Sequence, residues 1–304
     1  MPKLKEGTLL AKEEIILDRE VLRVFKEKGL SLEQLADIKR IVKKTKAFRI
    51  TYQSNGHRVN GFLIAPRAIR GTLPCIIWNR GGIGEFGAIT LAAVFRSMGR
   101  MAEWGYVVIA TQYSGNGGSE GADDCGGPET LNDVLNLKKV LEQIPTADIS
   151  RIGMYGWSRG GMMTYLSLAN VKWIKAAVTM AGLADVARSV KRRPALAEAY
   201  KELWKVTPKN IHDRSAVRWP EKFSKKAPIL LLHGTADWRV TVQDSLDLTA
   251  ALVKEKVPCR LVVFEGDDHG ITANAKERYR LTHEWFDRFV KNGEPLPNLT
   301  PHGD

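Results

Sequence analysis

Residues 151–170 read Arg-Ile-Gly-Met-Tyr-Gly-Trp-Ser-Arg-Gly-Gly-Met-Met-Thr-Tyr-Leu-Ser-Leu-Ala-Asn, and their reading decides the fold. The run Ile152-Gly153-Met154-Tyr155 suits a buried strand, and Met162–Leu168 suits a helix. Between them Gly156-Trp157-Ser158-Arg159-Gly160-Gly161 leaves room for one sharp turn, with Ser158 at its apex. A strand passing directly into a helix is one unit of an open sheet that carries helices.

The same alternation extends in both directions. Strands are expected at 74–79, 106–112, 151–155, 176–180, 228–233 and 260–264, with helices near 88–103, 128–143, 159–170, 241–255 and 275–291. Ile229-Leu230-Leu231-Leu232 is apolar throughout, as in a strand covered on both faces. The pattern predicts an α/β fold, a doubly wound and mostly parallel sheet with helices on both faces. Ahead of it, Ala47–Tyr52 and Val59–Ala65 read as a hairpin around Asn55-Gly56. Residues 1–45 are expected as an N-terminal helical arm, with helical spacing over 12–44 and Ser31 as N-cap three residues before Gln34. The remainder, 46–304, forms the main domain. Residues 184–226 interrupt the rhythm with a basic, helical insertion, read as a lid over the C-terminal edge of the sheet.

The chain has 304 residues, 44% hydrophobic and 26% charged, which excludes a disordered or collagen-like chain. No run of 18 apolar residues occurs, so no membrane span is expected. The net charge is +12, but the lysines and arginines are scattered and no nucleic-acid-binding signature accompanies them. A solvated basic surface is the reading, with nucleic-acid association through this charge as its rival, since weak, salt-sensitive binding would be generic. Three cysteines at wide spacing form no metal cluster or disulfide framework. Together with the lack of a signal-peptide core in residues 1–18, they suggest a cytoplasmic protein. A homo-oligomer is left open.

Gly156–Gly160 matches G-x-S-x-G, the turn that presents a nucleophilic serine. Gly117-Gly118-Ser119-Glu120-Gly121 matches it as well, but lies in a Gly- and Asp-rich loop with no helix directly after it. Context therefore selects Ser158. A serine hydroxyl needs a base, and in this fold class the partners follow in the order serine, acid, histidine. Of the six histidines, His269 follows the last expected strand, in Glu265-Gly266-Asp267-Asp268-His269-Gly270, and is the expected base. Asp237 follows the preceding strand and is the expected acid. Asp267 and Asp268 are too near His269 in the chain to reach its far ring nitrogen, and His233 reads as a hydrogen-bonded strand-end residue. Two backbone N–H groups are needed for the oxyanion. Arg159 supplies one, and the loop Asn79-Arg80-Gly81-Gly82 the other, with Gly82 preferred and Gly81 next. Residues 82–87 also fit G-x-G-x-x-G, but the hydrolase constellation uses the same glycines. Glu85, Phe86 and Glu120 are candidate substrate contacts, against the reading that they are solvated loop residues.

These motifs, with His233-Gly234-Thr235-Ala236-Asp237-Trp238-Arg239-Val240 and Arg214-Ser215-Ala216-Val217-Arg218-Trp219, resemble the catalytic domain of prolyl oligopeptidase-family serine peptidases over about residues 46–292. The resemblance implies an α/β-hydrolase fold with Ser158, Asp237 and His269 as triad. It implies hydrolysis of peptide, amide or ester bonds in a small molecule or short peptide, with no metal or organic cofactor. Two departures stand out. The residues before 46 are too few for the N-terminal β-propeller of many members, and the oxyanion loop reads Asn-Arg-Gly-Gly where relatives have His-Gly-Gly-Pro or a tyrosine donor. A carboxylesterase acting on small esters and a non-catalytic binding protein on the same fold are the alternatives.

Overall fold

The computed structural model describes residues 4–303. The chain divides into two compact units, one built from residues up to 78, 84–123 and 132–150, the other from 79–83, 124–131 and 151 onward.

The first unit holds β1 (Leu9–Glu14), α1 (Arg19–Glu27), α2 (Leu32–Lys44), β2 (Thr45–Ser54), β3 (His57–Pro66) and β4 (Leu73–Asn79, whose last residue opens the second unit). It continues through α3 (Leu91–Ala93), a π-helical stretch (Val94–Met98), α4 (Gly99–Glu103), β5 (Val107–Thr111) and most of α5 (Pro128–Leu141). Its strands run in the order β1-β2-β3-β5-β4, with β1, β2, β3 and β5 paired antiparallel and β4 parallel to β5. The β2–β3 hairpin closes on two residues, Asn55 (φ 53°) and Gly56 (φ 80°), between the paired Ser54 and His57. Positive φ at both central positions is what a type I′ turn demands, and Asn-Gly adopts it at least cost. Helix α2 starts on the expected capping box, Gln34 N donating to Ser31 Oγ (3.2 Å) and Ser31 N to Gln34 Oε1 (3.1 Å). It buries Ile38 and Ile41 completely, and Gly99 lets α4 approach, since a Cβ there would lie 2.6 Å from Ile41 Cγ2.

The expected N-terminal helical arm is corrected in one respect. Its helices α1 and α2 are present, but Leu9–Glu14, which overlaps the expected helical stretch at 12–14, is a strand paired with β2 from Leu9↔Tyr52 to Glu14↔Phe48. Helical spacing cannot register an edge strand whose ladder partners lie 34–43 residues further on.

The second unit holds β6 (Ala147–Trp157, whose first four residues belong to the first unit), α6 (Arg159–Asn170), β7 (Ile174–Met180), α7 (Val186–Arg192), α8 (Pro194–Leu203) and α9 (Pro208–Asp213). Two short 3₁₀ turns lead to β8 (Ile229–Gly234), α10 (Val242–Lys254), β9 (Cys259–Phe264) and α11 (Ala275–Phe286). The strands run β6-β7-β8-β9, all parallel. Every residue of β8 is buried, which explains its unbroken apolar run. Parallel strands end at one edge, so the loops after β6, β8 and β9 emerge together, and these carry Ser158, Asp237 and His269.

The insertion at 184–226 is helical, as expected, and anchored near both ends. Asp244 on α10 accepts from Ala184 N (3.0 Å), Asp185 N (2.8 Å) and Arg188 Nη1 (2.8 Å). After α9, Arg214 donates to the carbonyls of Cys125 (2.9 Å) and Asp124 (2.8 Å), with its guanidinium 4.3 Å from the centre of the Trp204 ring.

Candidate active site

Ser158 stands between β6 and α6 with φ 59° and ψ −121°. A side chain in this left-handed region costs roughly 1–3 kcal/mol and persists only where the surroundings impose it. Here Ser158 N donates to Met180 O (3.0 Å), and Ser158 O accepts from Gly161 N (2.9 Å) and Leu183 N (3.2 Å). The two flanking glycines are needed for space. A Cβ on Gly156 would lie 2.0 Å from Gly160 O, and one on Gly160 would lie 2.1 Å from Asn79 O.

At the ends of β8 and β9, His269 Nδ1 and Asp237 Oδ2 are 2.7 Å apart. An ionised carboxylate only accepts, so Nδ1 carries the proton and Nε2 is left as the basic nitrogen. The His269 carbonyl accepts from Trp157 Nε1 (2.9 Å), and the two rings lie 5.5 Å apart. The histidine loop is thereby pinned to the residue directly before Ser158.

Asp237 is buried, and its Oδ1 accepts from Arg239 N (2.8 Å) and Val240 N (3.1 Å). Its Oδ2 also lies 3.2 Å from His233 Nε2. Burial by itself would raise the carboxyl's pKa. Hydrogen bonds from His233 and His269, the charge of His269 and the Val240 N–H outweigh it and hold the group well below the usual carboxylate range. The second imidazole on this carboxylate is what the sequence reading missed. His233 was expected as a hydrogen-bonded strand-end residue, and it does bond Ser245 Oγ (2.7 Å) and Val240 O (2.9 Å). Its i, i+4 spacing from Asp237 was the available signal. Asp267 and Asp268 instead build the loop: Asp267 accepts from Ala273 N, Asn274 N and Asn274 Nδ2, and Asp268 from Gly270 N and from Thr272.

The glycine loop lies against α6. Asn79 Nδ2 donates to Thr164 Oγ1 (3.0 Å), and Arg159 Nη1 donates to Gly82 O (3.1 Å). Gly82 has φ 75°. Arg159 N opens α6, where helix geometry leaves amides outside the i→i−4 ladder. The stretch 82–87 is not followed directly by a helix, the next beginning at Leu91, so it lacks the strand–glycine–helix form of a dinucleotide site.

The expected substrate contacts lie in the first unit. Glu85 Oε1 accepts from Gly117 N (2.8 Å) and Glu120 Oε2 from Arg58 N (2.9 Å), so both carboxylates brace loops, while Phe86 is exposed. Among the described residues no group of three His, Cys, Asp or Glu side chains could hold a metal ion, and no helix is long and apolar enough to cross a membrane.

Residues 93–293 match the prolyl oligopeptidase family. The chain belongs to that family. It is 33% identical to the uncharacterized peptidase YtmA of Bacillus subtilis (strain 168) over 248 residues, 81% of this chain and 93% of that protein. It is 29% identical to dipeptidyl peptidase 4 of Sus scrofa over 171 residues, 55% of this chain but 21% of that one. Among solved structures, the acylaminoacyl peptidase of Pyrococcus horikoshii superposes with TM-score 0.74 at 24% identity, over 86% of this chain and 44% of the other. The chain thus spans nearly all of one bacterial relative and less than half of the larger peptidases. The Pyrococcus furiosus esterase Pf2001 superposes with TM-score 0.65 at 17% identity, over 83% of this chain and 95% of that one. At these identities the superpositions establish an α/β-hydrolase fold and a mostly parallel sheet. Family membership makes the protein a peptidase-like hydrolase.

Proposed function

We propose that this hydrolase cleaves acyl bonds through a Ser158–His269–Asp237 triad and an acyl-enzyme, with short peptides or acylated amides as substrates. The observation that carries the reading is the 2.7 Å Nδ1···Oδ2 bond between His269 and a buried Asp237, in a loop tied to Trp157 beside Ser158. Ser158 Oγ attacks the acyl carbonyl carbon while His269 Nε2 takes its proton. Asp237 fixes the tautomer and stabilises the imidazolium. Negative charge on the former carbonyl oxygen is met by the N–H groups of Arg159 and Gly82. As the tetrahedral intermediate collapses, His269 returns the proton to the leaving amine or alcohol. Water then attacks the acyl-enzyme, with His269 again as base, and frees the acid. The helical insertion at 184–226 is taken as a border of the substrate site.

The peptide preference is supported by the family and by the named peptidases among its relatives. It is tested by a rate panel of acyl-peptide and aminoacyl nitroanilides beside short-chain nitrophenyl esters, on wild type and Ser158→Ala. Amide cleavage that vanishes in the variant is expected. Ester turnover alone would make the protein an esterase, and hydrolysis retained by the variant would overturn the triad.

A further inference from the structure

Two arginines bracket the oxyanion loop, and both are buried. Arg80 has no exposed surface and Arg159 retains 3%. Removing a guanidinium from water is costly unless its hydrogen bonds are used, so the places where these groups donate are informative. Arg80 Nη1 donates to Gly81 O (3.2 Å), and Arg159 Nη1 donates to Gly82 O (3.1 Å). Two consecutive carbonyls of the loop are therefore each held by a cation.

Peptide geometry gives this arrangement a consequence. Among the described residues all peptide bonds are trans, so the C=O and the following N–H of each unit point in opposite directions. Holding Gly81 O toward Arg80 turns Gly82 N–H away from Arg80. Holding Gly82 O toward Arg159 fixes the other side of the same residue. The left-handed φ of Gly82, 75°, is thus set from both flanks. Below the loop, Asn79 is tied to Thr164, and Gly160 closes on Asn79 O without room for a side chain. The loop is fastened to α6 at its base by Asn79 and at its tip by Arg159.

We propose that the Arg159 side chain is a positioning residue for the oxyanion hole, with Arg80 as its counterpart. Arg159 acts twice, supplying one donor through its main chain and orienting the loop that supplies the other through its guanidinium. The inference rests on Ser158 as nucleophile and Gly82 N–H as donor.

The test uses the full chain with Arg159→Met, Arg159→Lys and, as reference, Ser158→Ala. Four quantities are read: kcat, KM, the inhibition constant of an alkyl boronic acid that forms a tetrahedral anionic adduct, and the melting temperature. Removal of one oxyanion donor costs roughly 10²–10³ in kcat, so misplacing one should cost about 10- to 100-fold. Arg159→Met is expected to lose that much kcat with KM changed less than about threefold, and boronate affinity should fall with kcat. Arg159→Lys, which keeps the charge but not the fork, should be intermediate. It also serves if the methionine variant does not fold. Unchanged kcat in a folded Arg159 variant, or kcat loss without loss of boronate affinity, would overturn the inference. If Ser158→Ala retains activity, the nucleophile reading fails and the inference falls with it. If only the Arg159 variants behave as wild type, the inference alone fails.

Discussion

The chain contains G-x-S-x-G twice, and the two copies use their glycines for different reasons. In 117–121 the glycines serve conformation: Gly117, Gly118 and Gly121 have φ of 55°, 75° and 82°. Ser119 there is braced in a loop, accepting from Asn60 N (3.0 Å) through its hydroxyl. In 156–160 the glycines have ordinary φ and serve space, while the serine itself takes the left-handed backbone, at 59°. A motif for presenting a nucleophile is recognised by strain on the serine and by glycines closed against backbone, whereas Gly117 and Gly121 of the loop copy meet the side chains of Gln112 and His57. The letters alone are shared by a loop.

The largest expected difference between the two copies is in turnover. Ser158→Ala should lose on the order of 10⁶ in kcat, and Ser119→Ala should stay near wild type. Equal effects, measured on one substrate, would erase the distinction. Next comes the acid that only the second copy has behind it. Asp237→Asn should lower kcat on the order of 10⁴, since Asn cannot hold the productive imidazole tautomer. A loss under tenfold would break the assignment.

The glycines sharpen the comparison through stability. Gly160→Ala places a Cβ against Asn79 O and should destabilise by about 3 kcal/mol, the upper range for overpacking. Gly118→Ala meets only Asn60 Nδ2, at 3.3 Å, and should cost about 1–2 kcal/mol for its left-handed φ. Denaturant midpoints would show the order, and its reversal would contradict the division into space and conformation. The smallest effect is in acid. Asp237's folded pKa lies below its ordinary value, so its stabilisation is complete above the carboxylate range. Below about pH 4 the unfolded chain takes up the proton first, and the contribution is lost as pH falls toward the folded pKa. The stability difference between wild type and Asp237→Asn should therefore hold steady above the carboxylate range and shrink as the pH falls below about 4. A constant difference would mean that the carboxylate is not held by charge.

Much of this was legible in the residues themselves. The strand and helix rhythm from 74 to 291, the Asn55-Gly56 turn, the Ser31 capping box and the nucleophile turn all depend on neighbours within a few positions, so local sterics and periodicity record them. The order serine, acid, histidine also needed only the chain direction, because parallel strands deliver successive loops to one edge.

Other features have no local trace. Strand β1 exists because β2 lies beside it, and its own spacing suggested helix. Asp237 is shared between His269, 32 residues away, and His233, four residues before it, and only the folded loop brings both imidazoles to one oxygen. Arg159 reads in sequence as a backbone donor, but its guanidinium reaches a carbonyl 77 residues earlier. The sequence alone determined the elements from the β2–β3 hairpin onward and which residue types stand at the active edge, since these follow from backbone sterics and apolar periodicity. The tertiary structure decided which buried polar groups share partners, since desolvation makes each of them seek a hydrogen bond and only packing determines which one is within reach.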